Sequence, residues 1–298
     1  MKKIGFIGLG KMGMPMALNL CRKGFDVQVC SSNPDSQKKI LESGGHAASS
    51  FAEMAGSCDA VVTIVPSDKE ILELFEGNDG ILANAREGLV WIEMTSAKGT
   101  TKEAVAEAIR QSGKQIDFLD APVSGGVAGA EKGTLTIMVG SGEKELEENR
   151  NILEAMGSKI IHTGPVGSGS NVKMLNQMLN AANTAVAAEV LCISRMLGVD
   201  DHVLSEVVNQ SSGGSYIFER NVPKYMMTGD HTPGFRLNLM KKDVGLFIDT
   251  AQEIDGFAPL SNIIYQMYKA AAHQGMGDQN YTAVHTWYEN NQEKERNL

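Results

Sequence analysis

At 298 residues the chain is long enough for one large domain or two ordinary ones, and 42% hydrophobic with 21% charged residues provides a sizeable core and excludes a mainly disordered chain. A formal net charge of −9, with no run of Lys and Arg, argues against nucleic acid and anionic membrane as partners, though a small anion can still enter a locally basic cleft. No apolar stretch reaches the roughly 18 residues of a spanning helix.

The chain opens with Met1-Lys2-Lys3 and the apolar run Ile4–Gly8, read as a first strand because Lys11 and the nearby glycines do not suit a secretory signal; a cytoplasmic protein is expected. Six further β-branched runs follow, at Val27–Cys30, Ala60–Val65, Leu89–Glu93, Phe118–Asp120, Leu135–Gly140 and Lys159–His162. Helical patterns such as Met12–Arg22, Lys69–Phe75, Lys102–Gln111 and Glu143–Met156 separate them. Short apolar strands alternating with helices imply a mostly parallel sheet covered on both faces.

After Gly164-Pro165-Val166-Gly167-Ser168-Gly169 the rhythm changes. Asn171 to about Leu197 is one apolar-periodic stretch of roughly seven turns, with no Pro or Gly before Gly198. Asp201–Asn209, Tyr216–Met226, Leu237–Ile254 and Leu260–Ala272 also read as helices, and the polar tail Asn290–Leu298 as frayed. The expected fold class is α/β: a Rossmann-type doubly wound sheet over 1–164, then an all-α domain over 165–298 opened by a long interdomain helix.

Gly8-Leu9-Gly10-Lys11-Met12-Gly13 has the spacing of a dinucleotide-binding loop between strand and helix. The first glycine permits the turn, the second lets a pyrophosphate approach the backbone, and the third lets the helix pack close to the strand. The second strand ends Cys30-Ser31-Ser32-Asn33, without the carboxylate that favours NAD or the arginine that favours NADP. Two hydroxyls at Ser31 and Ser32 remove the repulsion that would exclude a 2′-phosphate, so the sequence leans to NADP over NAD. Lys38 and Lys39 could reach back, or simply form a solvated helix face.

Three later segments carry candidate chemistry. Asp120-Ala121-Pro122-Val123-Ser124-Gly125-Gly126 follows an apolar strand and so falls at the carboxyl edge of the sheet, where Ser124 and the amides of Gly125 and Gly126 suit a carboxylate. Lys173, Asn176 and Gln177 stand at i, i+3 and i+4 on one face of the long helix. A lysine among apolar residues near a helix start can have its pKa lowered enough for acid–base work, although a lone lysine more often snorkels to water. Phe235–Val244 ends in a Lys241-Lys242-Asp243 cluster that by itself reads as surface charge.

Cys21, Cys30, Cys58 and Cys192 form no CxxC and the six histidines are dispersed, so buried free thiols and no metal site are expected.

Taken together, Gly8–Gly13, Val65-Pro66, Glu93-Met94-Thr95-Ser96, Asp120–Gly126, Gly167–Gln177 and Lys242-Asp243 resemble the β-hydroxyacid dehydrogenase family in order and over nearly the whole chain. That family includes 3-hydroxyisobutyrate dehydrogenases, tartronate semialdehyde reductases and 2-(hydroxymethyl)glutarate dehydrogenases. The resemblance implies hydride transfer between NAD(P) and a small anionic hydroxy acid or semialdehyde acid. It casts Lys173 as general acid/base, Ser124, Gly125 and Gly126 as the carboxylate site, and Asn176 and Gln177 as groups orienting substrate or lysine. Val65, Pro66 and Ser96 would line the cofactor, with Ser96 beside the nicotinamide ribose, and Lys242 would close over cofactor and substrate.

Two departures stand out. The family often has Asp-x-Ser-Thr where this chain has Glu93-Met94-Thr95-Ser96, and a second asparagine where it has Gln177. A homodimer or homotetramer through the helical half is expected. The rival readings are an imine or other carbonyl reductase of the same fold, which generally lacks this lysine, and a non-catalytic NADP-binding redox sensor, which would not need it.

Overall fold

Strands β1 (Lys3–Ile7), β2 (Asp26–Val29), β3 (His46–Ala47), β4 (Ala60–Thr63), β5 (Leu89–Glu93), β6 (Ile116–Asp120), β7 (Val123–Ser124), β8 (Leu135–Gly140) and β9 (Gly157–Gly164) join in one sheet. The computed structural model describes residues 2–31 and 33–296. Sheet order is β3-β2-β1-β4-β5-β6-β8-β7, with β9 beside β8. The pairs from β3 to β6 are all parallel, whereas β8 runs antiparallel to β6 and β7 and parallel to β9. Strand order reverses between β1 and β4, which is the switch point where open α/β sheets take ligands.

Helices α1 (Gly13–Arg22), α2 (Pro34–Glu42), α3 (Phe51–Ser57), α4 (Asp68–Phe75), α5 (Ile81–Asn84), α6 (Gly99–Ser112), α7 (Gly126–Lys132) and α8 (Glu143–Glu154) connect the strands. Two apolar clusters account for their packing. One joins Ile4, Phe6, Val27 and Val62 to Met16, Leu20 and Ile152; the other joins Val61, Trp91 and Phe118 to Met54, Ile71 and Val105. Alternate residues of the central strands thus feed opposite faces, and β4 and β5 are buried at every position.

The helical part comprises α9 (Ser168–Met196), α10 (Asp201–Asn209), α11 (Leu237–Glu253), α12 (Pro259–Ala271) and α13 (Val284–Arg296). The chain divides into two units, 1–173 and 174–298. In the second, Met178, Ala181, Ala188, Val222, Met240, Val244 and Tyr268 belong to one core cluster.

The structure corrects several expectations. Ile217–Met226 is wound as a π-helix, with Pro223 inside it, and the turn after α12 is a π-helix over Ala272–Met276 followed by a 3-10 turn at Tyr281–Ala283. Proline cannot donate an amide hydrogen bond, so a wider turn accommodates it. The tail expected to fray from Asn290 is helical through Arg296 as part of α13, and residues 297–298 lie outside the described residues. Of the four thiols expected to be buried, only Cys58 and Cys192 are, Cys21 and Cys30 being half-buried; all four are free. Burial pushes the Cys58 and Cys192 thiols up to about 11, which keeps them protonated and unreactive near neutral pH.

Candidate functional site

The loop Gly8–Gly13 leaves β1 at the sheet's switch point. Gly8 adopts a φ of +100°, and a Cβ there would strike the Ile64 carbonyl oxygen of the neighbouring strand's continuation. A Cβ on Gly13 would strike the Gly8 carbonyl, so this glycine is what allows α1 to start so close to β1. Gly10, by contrast, has nothing among the described residues within 4 Å of the corresponding position. Leu9 is half-buried, Lys11 exposed and Met12 half-buried. Among the described residues, Met12 at the N-cap of α1 makes no side-chain capping hydrogen bond. An open face at the second glycine and an uncapped helix start are what a dinucleotide pyrophosphate requires, so the residues present fit that group.

At the end of β2, Ser31 is half-buried and its hydroxyl oxygen accepts from the Asn33 amide at 3.2 Å. Asn33 in turn caps α2, accepting from Asp35 N at 3.0 Å and Ser36 N at 3.4 Å. Ser32 lies outside the described residues. Lys38 faces Glu42 at 3.8 Å on an exposed helix face, and Lys39 is exposed as well.

Val65 and Pro66 follow β4. The Val65 amide donates to Thr95 Oγ1 at 2.9 Å, which ties this loop to the one after β5 that carries the half-buried Ser96. Ser124 ends β7 half-buried, and Gly125 and Gly126 are exposed with φ of +134° and +62°. Those left-handed conformations turn the chain from strand to helix within two residues and suit only glycine.

Lys173 lies in the second turn of α9 and is only 7% exposed, so its side chain does not snorkel to water. Gln177 is buried and donates through Nε2 to Asp243 Oδ2 at 2.8 Å; Lys242 Nζ stands 3.2 Å from Asp243 Oδ1. The Lys242-Asp243 pair is therefore not plain surface charge, since Asp243 is 3% exposed. Asn176 is exposed, unlike the other two members of the triplet, and reaches Gln177 Oε1 at 3.4 Å. Two arginines of the helical unit have partners of their own: Arg220 sits over the Tyr216 ring at 5.5 Å and Arg236 meets Asp278 at 3.2 Å.

Sequence reasoning missed one group. Lys102, placed at the start of an amphipathic helix, is fully buried within α6, as are Glu93 and Asp120 at the ends of β5 and β6. Two apolar strands each ending in a carboxylate were the available signal, because in a parallel sheet such ends lie side by side and call for a cation.

Residues 3–164 match the family described as the NAD binding domain of 6-phosphogluconate dehydrogenase, and residues 167–288 the family described as NAD-binding of NADP-dependent 3-hydroxyisobutyrate dehydrogenase. The chain is 34% identical over 282 residues to 2-(hydroxymethyl)glutarate dehydrogenase of Eubacterium barkeri, covering 95% of this chain and 93% of that protein. It is 34% identical over 293 residues to NAD-dependent L-serine dehydrogenase of Pseudomonas aeruginosa, covering 95% and 97%. Among solved structures, Mycobacterium tuberculosis 3-hydroxyisobutyrate dehydrogenase with L-serine superposes with a TM-score of 0.90 at 31% identity, covering 97% of this chain and 99% of that one.

Proposed function

We propose that this chain, which belongs to the β-hydroxyacid dehydrogenase family and is an NAD(P)-dependent oxidoreductase of small hydroxy acids, passes the proton of its substrate's hydroxyl through Lys173. The observation that carries this reading is the burial of Lys173 to 7% exposure near the start of a long helix. An ammonium there both donates the proton and stabilises the developing alkoxide oxygen.

Residues 1–164 form the dinucleotide-binding domain in this reading, and 165–298 the substrate and oligomerisation domain. A bound nicotinamide dinucleotide supplies hydride transfer. Gly8, Leu9, Gly10, Lys11, Met12 and Gly13 hold its pyrophosphate, Ser31 and Ser32 its adenosine ribose, and Val65, Pro66 and Ser96 its nicotinamide side. The absence of both carboxylate and arginine at Ser31 favours NADP only through lack of repulsion. Ser124, Gly125 and Gly126 bind the substrate carboxylate. Gln177, braced by Asp243, orients the substrate with Asn176, and Lys242 adds a cation for the anionic ligands.

The substrate class is a small 3-hydroxy acid or its semialdehyde. A homodimer or homotetramer is supported by the outward apolar residues of α9, among them Leu179 at 65% and Val186 at 61% exposure. No helix among the described residues is long and apolar enough to cross a membrane. A cytoplasmic location is supported by the free thiols.

The test is the near-ultraviolet absorbance of reduced nicotinamide, followed in both directions with a panel of 3-hydroxy acids and semialdehyde acids and with both cofactors. Lys173→Ala should retain cofactor binding and lose about 100-fold or more in turnover, the usual worth of a positioned acid/base. Full turnover in that variant would remove Lys173 from the chemistry.

A further inference from the structure

Three neighbouring strands of the amino-terminal unit finish on polar residues in register: Thr63 pairs with Glu93, and Glu93 with Asp120. All three are fully buried, and so is Lys102 of α6. The Lys102 ammonium forms an ion pair with Glu93, stands 3.8 Å from Asp120 Oδ1 and donates to the Thr95 carbonyl at 3.2 Å. Glu93 Oε1 accepts from Thr95 N at 3.1 Å, from Thr63 Oγ1 at 3.4 Å and from the Thr95 hydroxyl. Trp91 Nε1 donates to Thr63 Oγ1 at 2.9 Å, and Val65 N to Thr95 Oγ1 at 2.9 Å. On the far side Asp120 accepts from Ser170 N at 2.8 Å and Ser170 Oγ at 2.6 Å.

Stability gives no reason for such a cluster. Burying one cation between two carboxylates costs desolvation that apolar side chains of similar volume would avoid. What the cluster does is geometric. It fastens backbone at Val65, at Thr95 and at Ser170, in three segments far apart in sequence. Val65 adjoins Pro66 and Thr95 adjoins Ser96, the cofactor-side positions of the proposed function. Ser170 precedes Lys173 by three residues of α9, a rise of about 4.5 Å. The helix start is also pressed hard against the sheet, since a Cβ on Gly169 would come within 2.6 Å of the carbonyl oxygens of Asp120 and Met138. Packing sets how near α9 lies, and Asp120 sets its hydrogen-bond register.

We infer that Lys102, Glu93 and Asp120 form a buried positioning triad that keeps Lys173 in register with the loops carrying Val65 and Ser96. This inference rests on the assignment of Lys173 as acid/base. None of the three touches the reacting atoms; they act through the backbone they hold.

The decisive variant is Glu93→Gln with Lys102→Met, which removes both charges and nearly keeps the volumes. Its melting temperature should fall less than that of Lys102→Met alone, because one carboxylate, Asp120, is left without the ammonium rather than two. Cofactor affinity by fluorescence and KM should stay within about 3-fold, while kcat falls about 10- to 100-fold, as a small misplacement of a reacting group does. A folded double variant with the parent's kcat would overturn the inference. So would a loss of cofactor affinity matching the loss in kcat, since the triad would then only shape the cofactor site.

Glu93→Asp keeps every charge and withdraws the carboxylate by one methylene, so it serves if the double variant does not fold. It should lose about 10-fold in kcat at constant KM, and an unchanged kcat would be equally fatal. In a Lys173→Ala background the double substitution should leave the residual rate unaltered, whereas a further drop would show the triad acting elsewhere. The two readings fail separately: full turnover in Lys173→Ala alone defeats the acid/base assignment. Full turnover in the triad variants beside an impaired Lys173→Ala defeats only the triad.

Discussion

Each half of the chain buries a polar network, and the two are built from opposite chemistry. The sheet unit uses full charges, Lys102 between Glu93 and Asp120, at strand ends whose register the ladder has already fixed. The helical unit, beside its Lys242–Asp243 pair, has a network of neutral groups: Tyr281 takes a hydrogen bond from Asn221 at 2.5 Å and gives one to Asn180 at 3.2 Å, joining a 3-10 turn, a π-helix and α9. A parallel ladder places successive strand ends side by side with little freedom, so opposite charges can be opposed reliably. Irregular helices lack such a lattice, and amides and a phenol tolerate small shifts at modest cost.

The largest effect should follow from breaking the charged network on one side. Lys102→Met alone leaves two carboxylates buried without their cation, and the expected loss is about 3–5 kcal/mol in denaturant unfolding. A loss under about 1 kcal/mol, no more than a neutral hydrogen bond, would erase the contrast between the halves.

Acid sensitivity sharpens the contrast in the other direction. His285 of α13 is 1% exposed, and burial, with the Arg195 and His231 charges adding to it, pushes its pKa from 6.5 to about 4. The folded chain therefore binds that proton less readily than the unfolded chain. The corresponding stability is complete above the unfolded value of 6.5 and drains away as pH falls to about 4, amounting to about 3 kcal/mol. In His285→Gln the stability curve should be flatter across that window than in the parent. Parallel curves would show that His285 takes no part.

Much of this architecture is legible in the residues. The switch from strand–helix alternation to continuous helix, the glycine spacing at Gly8–Gly13 and the helix that carries Lys173 all follow from local rules of period and turn. What escapes those rules depends on contacts distant in sequence. Lys102 looks like any helix-surface lysine until β5 and β6 bring Glu93 and Asp120 beside it, 9 and 18 positions away. Asn176 looks equivalent to Gln177 until the packing of α11 buries one and leaves the other exposed. The π-helix at Ile217–Met226 was hidden for a different reason: its apolar spacing reads equally well as α-helix, and only Pro223 hinted at a wider turn.

The smallest of these effects belongs to the neutral network. Tyr281→Phe removes a hydroxyl that both accepts from Asn221 and donates to Asn180, and burial has pushed that phenol up to about 12, so it is neutral under all ordinary conditions. Its ring is retained in the substitution, along with the edge-to-face contact with Phe235 at 5.8 Å. The loss should therefore be one set of hydrogen bonds and one amide left short of a partner, about 1–2 kcal/mol. Because no charge is stranded, that cost should not vary between pH 6 and 9, roughly the range in which neither a phenol nor an amide titrates. A pH-dependent loss, or one as large as that of Lys102→Met, would mean that the helical network carries charge after all and that the two halves are held by the same means.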